Sequence, residues 1–375
     1  MKEWDTLSYF QNRSDELFWF SPEPEADLSR GLGELLPWNR GGVQKWGLCE
    51  SLLVRSQACR HHDPEQMVLL AERAAAIAAD LDPFAYGPEL TADLRARCFA
   101  ELGNAHRVAD DLEAAERALR SATERSARGT QDPLLLARIM DLTASLRGAQ
   151  RRFEEALELL DAVYRLYESH GDRHNAGRAL ISRGLYTGYN NDPEEAVRLL
   201  SSGLTLIHPA SDPKLVISAV HNLITFLADC GRFHEAQRLL RRARQAYDAE
   251  GDRLNLIKLC WVEGKIAAGL GRLRRAEQSL RQARQELGAT GLHYHAALAS
   301  LDLAAVWLSQ GKTAETRALV GELVTTFQAR RIAREALAAL VLLRESFDLD
   351  RSDPLELLQA VTRYLKGSRQ ALASH

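Results

Sequence analysis

The apolar residues in the middle of the chain recur at the spacing of an amphipathic helix. One set follows the i, i+3, i+4, i+7 pattern: Ala236, Leu239, Leu240 and Ala243. A second set precedes the turn at Gly271 and also shares one helical face: Leu256, Leu259, Cys260 and Gly264. Such spacing is typical of helices that bury one side. The pattern predicts consecutive pairs of helices, and it predicts strands nowhere in the chain.

The helical pattern repeats with a nearly constant period. The decapeptide GRFHEAQRLL at 231–240 returns as GRLRRAEQSL at 271–280, and related segments begin at 110, 151, 191 and 311. Their shared small residue falls every 40 or 41 residues: Ala115, Ala156, Ala196, Ala236, Ala276 and Thr316. A single unit cannot bury its apolar face alone, so repeated units of this kind stack. We therefore predict an all-α, right-handed α-solenoid of about seven antiparallel helical hairpins.

Boundary signals divide the chain into three regions. Gly or Ser followed by Asp separates successive units at 171–172, 211–212 and 251–252, where Asp caps the next helix. The repeat array spans residues 43–345, and its diverged first hairpin spans 43–82, with the second helix starting at Asp63. Residues 346–375 form a C-terminal capping helix and tail, with Asp353 as the cap and Pro354 in the first turn.

The repeat resembles the tetratricopeptide repeat (TPR) family. Its small residue in the first helix, helix A, matches Gly103, Ala144, Gly184, Gly264 and Ala304. Its turn residue matches Gly231, Gly271 and Gly311, and its apolar position matches Leu112, Phe153, Phe233 and Leu273. The units depart from the family's 34 residues and are similar to the extended repeats of bacterial regulators such as the maltose-activator effector domain or Rap-type proteins. Ile224 replaces one small residue, and Thr313 and Thr316 weaken the last unit.

The resemblance implies that helix A lines a concave ligand-binding groove. One groove-facing column then contains Arg97, Arg138, Arg178, Ser218, Lys258 and Leu298, and neighbouring positions contain Asn104, Arg107, Asp141, His221, Trp261 and Lys265. A stripe of guanidinium groups suits an acidic or carboxylate-bearing partner. The alternative is that the column arises by chance or only solubilises the face, because the chain holds 41 Arg and 7 Lys.

Residues 1–42 form an acidic, aromatic N-terminal segment outside the repeat. This segment contains three of the six Trp residues, and it has eight acidic residues against four basic ones. Three roles fit this composition. The segment covers the apolar end of the first hairpin, docks onto a partner, or lies as an acidic arm in the protein's own groove.

Composition and motifs exclude several other classes of function. The net charge of −3 gives no general attraction to nucleic acid or to an anionic membrane, and no run of residues is apolar enough to span a bilayer. The N-terminus lacks the apolar stretch of a signal peptide, and the five scattered Cys residues are typical of reduced thiols, so we expect a cytoplasmic protein. The excess of Arg over Lys, with abundant Ala and Leu, is typical of a GC-rich bacterial genome. The sequence contains no catalytic motif, and we expect neither an enzyme nor a cofactor. Three histidine groups, at 170/174, 293/295 and 61/62 beside Cys59, have too few ligands for structural zinc.

Two functional hypotheses follow. The first is a non-catalytic protein- or peptide-binding scaffold or adaptor that uses the basic groove. The second is a ligand- or peptide-sensing regulator, in which binding changes the conformation of the array and thereby controls a partner.

Overall fold

The computed structural model describes residues 42–209, 212–250 and 252–329, together with Leu358 and Thr362. The predicted N-terminal segment therefore lies outside the described residues, apart from Gly42. Most of the predicted C-terminal region also lies outside them. Leu358 and Thr362 are both helical, and Leu358 is only 1% exposed, within the core of the last helix pair.

The described residues form fifteen α-helices and no strand, as the hydrophobic pattern predicts. In chain order they are α1 (Gly42–Ala58), α2 (Pro64–Ala79), α3 (Pro83–Tyr86), α4 (Pro88–Val108), α5 (Leu112–Ser126), α6 (Pro133–Ala149), α7 (Phe153–Ser169), α8 (Arg173–Tyr189), α9 (Pro193–Leu206), α10 (Pro213–Asp229), α11 (Phe233–Glu250), α12 (Arg253–Gly269), α13 (Leu273–Ala289), α14 (His293–Ser309) and α15 (Thr313–Ala329). A short 3-10 helix, Cys59–His61, follows α1. Apart from the one-turn α3, the helices form seven successive A and B pairs.

The predicted caps start the helices. Asp172, Asp212 and Asp252 each accept a hydrogen bond from a backbone N–H two or three residues later, at 3.0, 3.1 and 2.8 Å. Asp63 caps α2 in the same way, through the N–H of Gln66 at 2.9 Å. These side chains satisfy N–H groups that the helix itself leaves unpaired. The boundaries between successive repeats are therefore where the sequence places them.

The turn inside six of the pairs uses one residue with a left-handed backbone. This residue lies at equivalent repeat positions: Asp110, Arg151, Asn191, Gly231, Gly271 and Gly311, with φ from 61° to 75°. The next residue donates its N–H to the carbonyl five residues before it, for example from Arg272 to Ala267 at 2.8 Å. This is the Schellman closure. The sequence shows glycine at only three of these turns, so in the others Asp, Arg or Asn adopts the same conformation.

The chain divides into two compact units. The described part of the first unit contains α1 to α7, α8 up to Tyr186, and residues 205–207. Its core is built by residues such as Met67, Leu70 and Leu94 in one cluster and Leu119, Ile139 and Leu146 in the next. The second unit contains the rest of α8, α9 up to Leu204, and α10 to α15. One of its core clusters joins α13, α14 and α15 through residues such as Leu280, Leu301 and Val320.

Glycine in helix A allows helix B to approach closely. A Cβ atom at Gly103 would lie 2.7 Å from Cγ of Leu119, and a Cβ atom at Gly264 would lie 2.7 Å from Cγ of Leu280. At Gly264 the Leu280 backbone nitrogen would also be only 3.3 Å away. Both contacts involve equivalent positions of two different repeats. The small-residue position of the family pattern therefore sets the spacing between the two helices of a pair.

We expect Gly264→Ala to destabilise the protein by about 1–3 kcal/mol, because the added methyl group overlaps Leu280. The matched control is Gly288→Ala in α13, where a Cβ atom would meet nothing within 4 Å. That control should be neutral or stabilise by up to about 1 kcal/mol, since alanine is the better helix former. Chemical denaturation followed by circular dichroism measures both effects. Equal effects of the two substitutions would contradict the close-approach explanation.

Candidate functional site

Four arginine side chains gather in the first unit, and they come from four different elements. Arg107 lies near the end of α4, Arg138 lies in α6 and Arg178 lies in α8. Arg60, in the 3-10 helix after α1, lies close enough to these three that their charges lower its pKa, in addition to the larger effect of burial. The Arg60 side chain is accessible to solvent, although many protein atoms lie near its guanidinium group. The cluster draws together positions up to 118 residues apart in the chain.

Two carboxylates neutralise part of this cluster. Arg138 donates through Nε and Nη2 to Oε1 of Glu101, at 3.0 and 2.8 Å, and it lies 3.4 Å from Oδ2 of Asp141. The Glu101 side chain is only 5% exposed, and its second oxygen, Oε2, is buried without a partner. Burial lowers the pKa of Arg138, but the two carboxylates outweigh this effect, so the net shift is upward. Arg138 is therefore held mainly by its own protein.

Arg107 is different, because no carboxylate among the described residues pairs with it. Its Nη2 donates to Oδ1 of Asn104 at 2.8 Å, while its Nε is buried without a partner. Burial lowers the pKa of Arg107, and the nearby Arg138 lowers it further against the opposing effects of Tyr186 and Asp141. A buried cation normally has an anionic partner. Arg107 thus offers a guanidinium that is already oriented and still has hydrogen-bonding capacity.

The remaining positions of the predicted column are placed as follows. Arg97 is exposed and donates to Oε1 of Glu50 in α1 at 2.8 Å. Asn104 is only 2% exposed, so it orients Arg107 rather than facing solvent. Ser218 is exposed on α10, whereas Leu298 is 8% exposed and packs in the core of the second unit. Leu298 therefore does not continue the column.

A second group of cations and imidazoles lies in the second unit. Lys258 of α12 is near both His221 of α10 and His295 of α14, and its charge lowers the pKa of each imidazole after the larger effect of burial. Burial also lowers the pKa of Lys258 itself. His221 packs edge-on against Tyr247, with 6.3 Å between ring centroids, and its Nδ1 is buried without a partner.

The other two predicted residues of this group are bound by carboxylates. Lys265 Nζ lies 2.5 Å from Oδ1 of Asp229. Trp261 donates from Nε1 to Oδ2 of Asp302 at 2.7 Å. Lys258, in contrast, forms no ion pair with any described carboxylate. The helix A positions of this unit therefore combine one half-buried cation, which forms no ion pair with a described carboxylate, with the half-buried imidazole of His221 and the more exposed imidazole of His295.

Arg60 and Glu101 are the residues that the sequence pattern missed. Arg60 lies in a 3-10 helix outside the 40-residue register, so no column contains it. Glu101 lies one turn after Arg97 in α4, and its role depends on a contact with Arg138, 37 residues away. Among the described residues, no group of three or more His, Cys, Asp or Glu side chains could hold a metal ion. Nor does any described helix have the length and apolarity needed to cross a membrane.

No protein-family model and no curated protein matches this sequence. Several solved structures do share its fold. Aspartyl phosphate phosphatase F from Bacillus subtilis superposes with a TM-score of 0.58 at 13% identity, covering 89% of this chain and 86% of that protein. A Rap protein complexed with Competence and Sporulation Factor has a TM-score of 0.64 at 11% identity, covering 86% and 87%. NprR in complex with its cognate peptide NprX has a TM-score of 0.59 at 14% identity, covering 82% and 86%.

These comparisons confirm the resemblance that the repeat pattern predicts. The chain has a TPR-like helical repeat fold, and Rap-type proteins are among the proteins that share it. At identities of 11–14% the likeness shows the fold alone.

Proposed function

We propose that the protein is a non-catalytic binding scaffold that takes an acidic peptide or protein segment on the helix A face of its repeats. The observation that carries this proposal is Arg107, a buried guanidinium with an unpartnered Nε and no carboxylate partner among the described residues. Around it, Arg60 and Arg138 add positive charge, and of these Arg138 is paired with Glu101 and Asp141. A peptide carboxylate would supply the missing anion and accept charge-assisted hydrogen bonds.

The test is to remove Arg60 and Arg107, which form no ion pair with a carboxylate among the described residues. The double variant Arg60→Gln with Arg107→Gln should lower recovery of the native partner from host lysate by at least about tenfold, since each lost charge-assisted hydrogen bond costs about 1.5–3 kcal/mol. Recovery is measured by affinity capture with quantitative mass spectrometry. Rising salt should weaken capture by the unaltered protein, because exposed parts of the site are screened.

The matched control removes the same charge elsewhere in the same unit. Arg117 and Arg120 are exposed on α5, a B helix, and Arg117→Gln with Arg120→Gln should leave capture unchanged. If the Arg60 and Arg107 variant keeps its partner while its melting temperature matches that of the unaltered protein, the helix A face is not the binding site.

The acidic N-terminal segment is a further proposed occupant of this face. Deleting residues 1–42 should raise the affinity for an acidic partner if the segment competes for the arginines. A lower melting temperature with unchanged affinity would instead support the covering role.

A second function, a peptide-sensing regulator, is favoured by the fold comparison. Two of the compared structures are complexes, one of a Rap protein with Competence and Sporulation Factor and one of NprR with its cognate peptide NprX. If this chain senses a peptide, a thermal-shift screen of short acidic peptides should find one that raises the melting temperature. A ligand at a hundred times its Kd adds about 2.7 kcal/mol of stability. A screen without any stabilising peptide would argue for the adaptor function.

A further inference from the structure

A cavity of about 310 Å³ lies in the second unit, among α11, α12 and α13, and belongs to no position of the helix A column. The apolar part of its lining comes from Leu240, Ile266 and Ala267, which are all buried. Its polar part is dominated by four arginines: Arg241, Arg244, Arg272 and Arg275. A cavity of this volume, which combines buried apolar side chains with convergent charges, is large enough for a small organic molecule.

The one carboxylate in the lining, Glu263, neutralises only one of these four charges. Glu263 is engaged by Arg244, which also lies 3.6 Å from Oδ1 of Asp248. Arg241, Arg272 and Arg275 form no ion pair with a carboxylate among the described residues. Three positive charges around this cavity therefore lack a counterion within the described protein, and all three side chains are exposed to solvent.

Comparison with the other repeats shows that this cavity lacks a carboxylate acceptor. In two other repeats, the arginine just before helix B donates two hydrogen bonds to the glutamate three residues later. Arg152 donates to Glu155, with both distances 2.6 Å, and Arg232 donates to Glu235 at 2.8 and 2.7 Å. Arg272 is the equivalent arginine of the next unit, but Arg275 stands where these units have glutamate. The glutamate that accepts both hydrogen bonds in those repeats is thus replaced here by Arg275, which can only donate.

The start of α13 adds positive charge of its own. Its first turn contains no acidic residue, and its N-cap, Arg272, makes no capping hydrogen bond through its side chain. The helices α5, α7, α9, α11 and α15 all have glutamate in the first turn. Positive side chains at a helix N-terminus are unfavourable unless an anion balances them. The N-terminus of α13 therefore favours a nearby anion, as do the arginines that line the cavity.

A second cavity, of about 430 Å³ in the first unit, is also bordered by arginines, and two of the three have partners within the protein. Arg95 donates to the carbonyls of Ala78, Ala79 and Leu81, each at 2.9 Å. Arg125 stacks on Phe99, with its guanidinium carbon 4.0 Å from the ring centroid. Arg95 and Arg125 are thus held by contacts within the protein, whereas Arg128 is exposed like the arginines of the first cavity.

We propose that the cavity among α11, α12 and α13 binds a carboxylate with an apolar body, and that the carboxylate accepts from Arg272 as Glu155 and Glu235 accept from their arginines. Arg241 and Arg275 complete the anion site, while Leu240, Ile266 and Ala267 contact the apolar part of the ligand. The free carboxylate of a small molecule and the side chain of a glutamate in a peptide share this chemistry. The site is separate from the helix A face of the proposed function.

The test titrates the full chain with 1-naphthoate and with its neutral counterpart, 1-naphthamide, by isothermal calorimetry. Naphthoate should bind at least about tenfold more tightly, because only the carboxylate can take the forked hydrogen bonds. The parallel pair, acetyl-Leu-Glu-Leu-amide and its glutamine analogue, shows whether a peptide side chain is the preferred source of the carboxylate. The proposal is overturned if neither carboxylate binds more tightly than its neutral counterpart, or if no probe gives saturable binding at millimolar concentration.

The decisive variant is Arg275→Glu, which restores the arginine and glutamate pair of the other repeats. It should abolish naphthoate binding while keeping or raising the melting temperature, so loss of binding cannot be attributed to unfolding. The matched control is Arg274→Glu, which makes the same charge change in the same helical turn, at a residue that is exposed like Arg275 but lies outside the cavity lining. The control should keep naphthoate binding within about threefold, the range expected for a screened surface charge. Equal losses in the two variants would mean that general charge, and not the cavity, attracts the ligand.

Discussion

Arg138→Met should destabilise the protein by about 3 kcal/mol, the largest effect that we expect from a single surface-facing cation. The substitution keeps most of the apolar stem but removes the charge that satisfies Glu101. The Glu101 carboxylate is almost fully buried and already has one oxygen without a partner. Breaking a buried ion pair from one side leaves an uncompensated charge, which typically costs 3–5 kcal/mol. We take the lower end because Arg138 is 29% exposed.

The matched experiment is a double-mutant cycle. Glu101→Leu combined with Arg138→Met removes both charges, and the double variant should recover most of the stability lost in Arg138→Met. Unfolding free energies come from chemical denaturation of the full chain. A loss below about 1 kcal/mol in Arg138→Met would show that the pair contributes no more than an exposed salt bridge does.

The stability of the protein should fall by about 2–3 kcal/mol between pH 6.5 and pH 4.5 because of His221 alone. Burial, with the charges of Lys258 and Lys265, lowers the pKa of this imidazole from 6.5 to about 4 in the folded protein. The unfolded chain binds a proton below pH 6.5, whereas folded His221 stays neutral until about pH 4. The contribution is therefore fully present above pH 6.5, and it is lost as the pH falls toward 4.

The prediction is tested by following stability against pH for the unaltered protein and for His221→Gln. The variant should lack this part of the pH dependence, so the stability difference between the two proteins should change by about 2–3 kcal/mol across the window. His234→Gln, at an exposed position of α11, is the control and should leave the profile unchanged. Parallel profiles for the unaltered protein and His221→Gln would contradict the assignment of a neutral, buried imidazole.

The sequence predicts the fold well because every unit repeats the same few structural signals. The small residue in helix A, the Asp cap and the turn recur at a fixed interval, and each signal acts over a few residues. Even the non-glycine turns could be placed by register, although Arg151 has no local preference for positive φ. Local and repeated signals of this kind are readable from a single chain.

The candidate site was predicted less completely, because its properties depend on which side chains meet. The column correctly places Arg138 and Arg178 on helix A, but it cannot show that Glu101 binds Arg138. It continues to Leu298, which the structure buries in a core. Arg60 has no repeat register at all. Periodicity selects a face of a helix, whereas ion pairing depends on the reach and rotamer of long side chains across neighbouring helices.

Arg107 lowers the stability of the unliganded protein, while it supplies the guanidinium on which the proposed anion binding depends. An unliganded protein bears the desolvation cost of a guanidinium with one buried donor unsatisfied, and this cost is recovered only when an anion arrives. Selection for heat resistance alone would therefore replace Arg107 with an apolar residue of similar length, such as methionine, and would lose the anion site in doing so. The arginine at this position is one that a search for the most stable sequence would remove, as expected of a residue that serves the proposed anion binding and not the stability of the fold.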